Sequence, residues 1–343
     1  PGRQDTGVGW IASYRLRWRR RRLIWRALRK RGELSAVQDR TGAIGPRDVL
    51  CFVTLRNERV RLPWFLSYYR DLGVGHFLIV DNASDDGSTD YLAGQEDVSL
   101  WRTAAGYGAS RFGVDWLTAL QRRYGHGHWC LTVDADEFFV YPFCDTRPVR
   151  ALTDWLDACA IRAFPAMLID MYPKGPVDAV PYAEGQNPFE IAQWFDGANY
   201  MISRNPELRN LWIQGGPRAR AFFAEAPGQA PALNKIPLVK WHRRYAYAHS
   251  THMLLPRGLN LTYDQSGGEK TSGALLHAKF LHPLGEKAAE EATRRQHYAG
   301  GREYAAYRAG LDTGLDLWTE WSERYINWRQ LEILGLMSKG NWA

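Results

Sequence analysis

The chain has 343 residues, 45% apolar and 13% aromatic, with 44 basic against 37 acidic side chains for a net charge of +7. That apolar content excludes a wholly disordered chain, and no run approaches the ~18 apolar residues of a membrane-spanning helix. The length suits one large α/β domain or two small ones. The charge is uneven: residues 1–31 hold 11 basic side chains and one acid, Asp5, so a net +10 sits on one arm and a net −3 on the rest. The overall total is therefore poor support for a nucleic-acid binder.

In chain order, residues 10–31 predict a basic helix. Leu16, Leu23 and Ala27 cluster on one side; Arg15, Arg19, Arg22, Arg26 and Lys30 cluster on another; Trp18 and Trp25 spoil a clean stripe. Arginines interrupt the segment too often for a signal core. Three readings stand for the arm: an anionic membrane surface, nucleic acid, or a solvated tail. Its Trp and Leu content favours the first. Residues 32–46 read as a linker. Strands are then expected at 49–55, 76–80, 98–102, 128–133 and 138–141, with helices at 62–72 and 111–124. Strands alternating with helices imply a mainly parallel sheet, whose ligands collect at the carboxyl ends of the strands.

Further along, 162–169 is strand-like, 173–235 reads as long loops around short elements, 239–255 holds strand-like stretches, and 274–280 is another strand. Helices are expected at 286–307 and 315–336. In the second, Trp318, Trp321, Tyr325, Trp328 and Leu331 fall at helical spacing, as a stripe docked on the body. The four cysteines, Cys51, Cys130, Cys144 and Cys159, show no zinc spacing and read as reduced thiols of a reducing compartment.

Three acid-bearing segments fall at strand ends: Glu58, Asp81 and Asp134/Asp136. Asp134 and Asp136 flank one alanine, and in an extended segment both carboxylates point the same way. Paired carboxylates suit Mg²⁺ or Mn²⁺, which grip substrate phosphates. The order of segments is Arg56-Asn57-Glu58, then Asp81-Asn82-Ala83-Ser84-Asp85-Asp86-Gly87-Ser88-Thr89-Asp90, then Asp134-Ala135-Asp136-Glu137-Phe138. This order resembles the family 2 glycosyltransferases of the GT-A fold, and within them a bacterial subgroup with a DADEF motif. Leu275-Leu276-His277-Ala278-Lys279-Phe280 is also similar to that subgroup. The resemblance covers about residues 48–310.

The resemblance implies that Thr54, Asn57 and Glu58 contact a nucleotide, that Asp81 accepts a base N–H, that Asp134 lies near the ribose or metal, and that Asp136 ligates Mn²⁺ or Mg²⁺. Asp85 and Asp86 read more simply as turn formers. Arg111 has two readings, a diphosphate contact and a solvated helix start. Arg218 and Arg220, in a turn opened by Gly215 and Gly216, suit phosphate or an acidic sugar. His277 and Lys279 would share one strand face, His277 as a further metal ligand and Lys279 neutralising a leaving diphosphate; a core histidine is the other reading of His277. His249 and His252, three apart on a strand, would face opposite sides, so that one of them is structural. For the base that deprotonates the acceptor hydroxyl, Asp170 is the first choice, with Glu225 and Glu269 as alternatives.

The resulting expectation is an α/β protein of the GT-A, Rossmann-like class with a mixed, mainly parallel sheet. Residues 1–46 would form a basic helix and linker, 47–310 the catalytic domain, and 311–343 an aromatic helix packed on it. The resemblance implies an inverting, metal-dependent transfer from a nucleotide-sugar donor, first of all a UDP-sugar, to a glycan or lipid-linked acceptor in bacterial glycan or glycolipid assembly. A cytoplasmic location follows, peripheral at the inner membrane face if the arm docks there. The rival reading is a non-catalytic glycan- or nucleic-acid-binding protein on the same scaffold. A nucleotidyltransferase would need a glycine-rich basic loop after the first strand, and Arg56-Asn57-Glu58 is not one.

Overall fold

The computed structural model describes residues 10–263, 269–281, 284 and 314–342. The helix expected at 286–307 lies outside the described residues. Strand formation follows side-chain alternation. In β2 (Val49–Leu55), Cys51, Val53 and Leu55 enter the core on one face, and Leu50 and Phe52 the core on the other. In β3 (His76–Asp81), Phe77 and Ile79 alternate in the same way with Leu78 and Val80. Successive strand side chains leave opposite faces, so a run apolar at every position must be covered on both.

Helices supply the two covers. α2 (Leu62–Asp71) buries Leu62, Phe65, Leu66 and Tyr69 on the first face, and Pro63 falls in its first turn, where its missing N–H costs nothing. α5 (Val149–Ala158) joins it there through Val149, Leu152 and Leu156. α4 (Val114–Tyr124) covers the second face with Val114, Trp116, Leu117 and Leu120. This helix starts later than the sequence suggests. Arg111, Phe112 and Gly113 all have positive φ, and a Cβ on Gly113 would sit 2.6 Å from Thr54 Oγ1, so only glycine allows that approach.

The remaining sheet strands are β1 (Ser35–Gln38), β4 (Val98–Arg102), β5 (Trp129–Thr132), β6 (Glu137–Val140), β7 (Ala163–Asp170), β11 (Asn234–Lys240) and β14 (Gly273–His277). Among the described residues the sheet has nine strands, in the order β1-β4-β3-β2-β5-β11-β7-β14-β6. Six strands (β2, β3, β4, β5, β7, β14) run one way, and β1, β6 and β11 run the other. The fold is thus α/β with a mixed, mainly parallel central sheet, compatible with a Rossmann-like class. The chain passes from β2 outward to β3 and β4 and then returns to place β5 on the other side of β2. In open α/β sheets ligands bind at such a reversal, which here falls at the carboxyl ends of β2 and β5.

Three expectations are corrected. The segment read as a linker contains β1, which closes the sheet edge against β4. The basic helix, α1 (Trp10–Lys30), is no solvated tail: Leu16 packs with Leu208, Ala248, Met253 and Leu255, and Arg26 Nε lies 2.5 Å from the buried Asp115 of α4. The C-terminal aromatic helix is instead β15 (Ser322–Arg324), paired with β8 (Trp194–Asp196), followed by the short α7 (Trp328–Ile333). Its stripe is split accordingly: Trp328 and Leu331 are buried while Trp321 is exposed. Thr319 and Ser322 bond each other's turn, and the Asn327 side chain accepts from Arg329 N at 2.9 Å, so α7 begins only there. Short polar side chains of this kind compete with a continuous helix for backbone groups.

Candidate functional site

The topology gathers chemistry at one sheet edge. Glu58, Asp81, Asp134, Asp170 and His277 end, or directly follow, strands of the majority direction. Glu137 and Lys235 begin the oppositely directed β6 and β11 at the same edge. Register is tight: His277 pairs with Glu137 on one side and with Asp170 on the other.

The DxD segment is a turn rather than an extended stretch, so its two carboxylates meet different partners. Strand β5 stops at Thr132, and Glu137 N donates to Asp134 O at 3.1 Å. The Asp134 side chain is 57% exposed, and its Oδ2 lies 3.2 Å from Lys235 Nζ. Asp136 Oδ2 lies 3.4 Å from His277 Nε2. The other ring nitrogen, His277 Nδ1, is 2.6 Å from Asp170 Oδ1, and Arg218 Nε holds the second Asp170 oxygen at 2.7 Å. Asp136, His277, Asp170 and Arg218 therefore form one chain of contacts across β14 and β7.

Burial opposes the Asp170 charge, but Arg218 and His277 outweigh it and hold the carboxyl down to about 2. With both oxygens engaged, such a group is poorly matched to take a proton from an acceptor hydroxyl near neutral pH. A carboxylate so placed orients the His277 ring, as one does behind a metal-ligating histidine. Burial also opposes a charged His277, and Asp136 and Asp170 outweigh it and raise its pKa. Asp136 Oδ2 and His277 Nε2 thus offer an oxygen and a nitrogen, 3.4 Å apart, that could hold one cation, a proton or a metal, between them. Among the described residues, no three or more His, Cys, Asp or Glu side chains converge as a metal-holding group. Two protein donors suit Mg²⁺ or Mn²⁺, which keep waters and take substrate phosphates as further ligands.

Lys235 and Arg61 were not singled out in the sequence. Lys235 is 6% exposed and bonds both Asp134 and the buried Glu137. Burial works against its charge, and the two carboxylates outweigh it and hold the ammonium above its ordinary value. Burial likewise raises the Glu137 carboxyl to about 7, against the pull of Lys235. The available signal was a lysine beside Leu233, Ile236, Leu238 and Val239, because an ionisable residue in an apolar run needs a buried partner. The strand expectation began too late, at residue 239, to include it. Arg61 is 1% exposed; it meets Glu58 Oε2 at 2.9 Å and Ala278 O at 3.4 Å, and the Asp136 charge acts on it. Its signal was the Glu58/Arg61 spacing of three.

The two loops after β2 and β3 are sewn together. Asn57 N donates to Ser84 Oγ, Asp85 N to Asn57 Oδ1, and Glu58 N to Ser88 Oγ. Asp81 is fully buried and accepts from Ser84 N, Ser84 Oγ and Thr89 Oγ1, so it organises its own loop. Asp86 accepts from Arg59 N and Ser88 N, as a turn former does. Thr54 is buried, and its hydroxyl has no hydrogen-bond partner among the described residues.

Other expected residues lie differently. Arg111 bonds Asp115 at 2.8 Å and Tyr247 O at 3.1 Å, tying α4 to β12 (Ala246–His249). The Gly215/Gly216 turn opens a short helix, α6 (Gly216–Phe222), which carries Arg218 inward and sets Arg220 against Asp196. Glu225 is exposed beyond that helix. Glu269 is exposed and accepts from Ser338 Oγ. Strand β14 ends at His277, whose successor Ala278 donates to Asp136 O at 2.8 Å, so Lys279 does not continue the His277 strand face.

His249 and His252 do not face opposite sides. Ser250 has φ 44°, and the turn brings the two rings to 6.0 Å, both against Trp212. His252 Nδ1 lies 2.5 Å from Asn234 O, and burial, with the nearby Lys235 charge, depresses its pKa to about 3. Its folded pKa lies below the unfolded value of about 6.5. Below that value the unfolded chain binds a proton that the folded chain refuses, so stability falls as pH drops toward 3 and is fully present above 6.5. His252→Gln is expected to flatten the loss of stability between pH 6.5 and 4 by up to about 1 kcal/mol per unit, as read by urea unfolding. An unchanged slope would remove His252 as its source.

No protein-family model matches the chain, and no curated protein matches it.

Proposed function

We propose that the chain is a metal-dependent glycosyltransferase of the GT-A type, moving a sugar from a nucleotide donor, with UDP-sugars the first class to test, to a hydroxyl acceptor. The observation that carries this reading is the contact chain Asp136–His277–Asp170–Arg218 at the carboxyl edge of the sheet. A divalent cation at Asp136 and His277 would neutralise charge on the departing diphosphate. Asp170 holds the His277 ring so that Nε2 faces Asp136, and Arg218 keeps Asp170 ionised. Lys235 steadies Asp134 and Glu137 at the same sheet edge, and the buried Thr54 hydroxyl and the Asn57 loop lie at the end of β2. Inversion at the anomeric carbon rests on the family resemblance alone. Asp170 acts here as a positioning residue for His277 and not as the base.

Two readouts test this. A panel of UDP-sugars with Mn²⁺ and hydroxyl acceptors is expected to yield sugar-dependent release of UDP; tight binding without turnover across the panel would favour the non-catalytic alternative. Asp170→Asn is expected to weaken Mn²⁺ affinity by about 10- to 100-fold, as loss of a carboxylate behind a ligating histidine does. Unchanged Mn²⁺ affinity with turnover abolished would return Asp170 to the role of base.

A further inference from the structure

We propose that the outward face of α1 docks on an anionic lipid bilayer. This goes beyond sugar transfer and stands on its own observations. At 3.6 residues per turn, side chains seven apart lie about 20° from each other around a helix. Leu16, Leu23 and Ala27 therefore share the face that packs on the body, while Ile11, Trp18 and Trp25 lie on the opposite side. The two tryptophans that spoil a single apolar stripe instead build a second face. Trp18 is 53% and Trp25 58% exposed, and Ile11, Tyr14 and Leu28 are exposed beside them.

Arginines flank this outer row. Arg15, Arg22 and Arg29 lie on one side and Arg21 on the other, all exposed. Arg21 lies over the Trp18 ring at 5.8 Å and Arg29 over the Trp25 ring at 4.7 Å, so cations and aromatics form one surface. On the helix flank, Arg17 and Arg20 face Arg257 across a cleft of about 280 Å³. Burial together with the charges of Arg17, Arg244 and Arg21 lowers the Arg20 pKa, as expected where guanidiniums crowd each other.

The occupant must therefore be anionic and must also accept indole and aliphatic side chains. An anionic bilayer interface meets both requirements: headgroups take the arginines, and tryptophan, isoleucine and leucine enter the boundary beneath. Nucleic acid would take the charge but leave Ile11 and Leu28 without a partner. No helix among the described residues is long and apolar enough to cross a membrane, so α1 would lie along the surface. The grip of the inner face keeps it attached to the body: Arg26 meets Asp115 at 2.5 Å, and Arg19 meets Glu207 at 2.9 Å.

The test is sedimentation of the full chain with phosphatidylcholine vesicles, with or without about 30% phosphatidylglycerol, at about 0.1 M salt. The protein is expected to pellet with the anionic vesicles and not with the neutral ones. Trp18→Ser/Trp25→Ser and Arg15→Gln/Arg22→Gln should each weaken binding by about 10-fold or more. Brominated lipid chains should quench the wild-type fluorescence more than that of the tryptophan variant. Equal recovery with both vesicle types, recovery with neither, or wild-type binding by the tryptophan variant would overturn the proposal. Retention of an RNA oligonucleotide with indifference to vesicles would assign the face to nucleic acid instead.

Discussion

Lys235→Met is expected to destabilise the protein by about 3 kcal/mol or more at about pH 9, where the buried Glu137 carboxyl must either take up a proton or stay charged without its cation. Glu137 is 1% exposed, and Lys235 bonds it from β11 while also reaching Asp134 at 3.2 Å. Removing the ammonium leaves Glu137 without its cation and removes the positive charge between two acids. Thermal unfolding should shift down by about 4 °C or more, since a chain of this size unfolds with an entropy of about 0.7 kcal/mol per kelvin. The cause is isolated by Lys235→Met/Glu137→Gln, which deletes both charges and should regain most of the loss, since a paired charge replaced as a pair is nearly neutral. An unshifted melting temperature in the single variant would mean that Lys235 does not compensate Glu137.

Asp136→Asn should behave in the opposite way. Asp136 sits near Asp134 and beside His277, on a crowded acidic turn. Neutralising it relieves repulsion from Asp134 but also takes a partner charge from His277 and Arg61, so the melting temperature without metal should move by no more than about 2 °C. Sugar transfer should fall by about 100- to 1000-fold, the scale of losing several kcal/mol of metal-borne charge stabilisation. Lost turnover with retained stability is the signature of a residue kept for chemistry rather than for the fold. Turnover within a few-fold of wild type would remove Asp136 from the site.

The two residues differ in how readable they were. Asp136 stood out because an apolar strand ran into an acid-bearing segment, and the strands from Val49 to Thr132 were legible because their runs are mostly apolar on both faces. Their β-branched and aromatic content left little competition from helix. Lys235 was hidden because Pro, Gly and Asn around it suggested loop, and pairing with β5 and β7 decides that strand only in three dimensions. The C-terminal stripe misled for a related reason: Trp318 to Leu331 satisfies helical spacing, yet Thr319, Ser322 and Asn327 bond the backbone locally and β15 pairs with β8. Asp170 was found as a strand-end acid, but its role was not legible. Nothing in one dimension shows that Arg218 and His277 close on it from distances of 48 and 107 residues.

The role of α1 changed in the same way. As a string of arginines it could be a detached tail. Folded, one face is committed to Leu208, Met253 and Asp115, and only the other remains turned outward. Both faces are written in the same residues, and only the docking tells them apart.

The proposed site has Asp136 and His277 holding a divalent cation together with a nucleotide diphosphate. Calorimetric titration of UDP into wild-type protein and Asp136→Asn, each with and without Mn²⁺, tests it most directly. Mn²⁺ is expected to strengthen UDP binding to the wild type by at least about 10-fold and to have no effect on the variant. Equal enhancement by Mn²⁺ in both proteins, or none in the wild type, would contradict it.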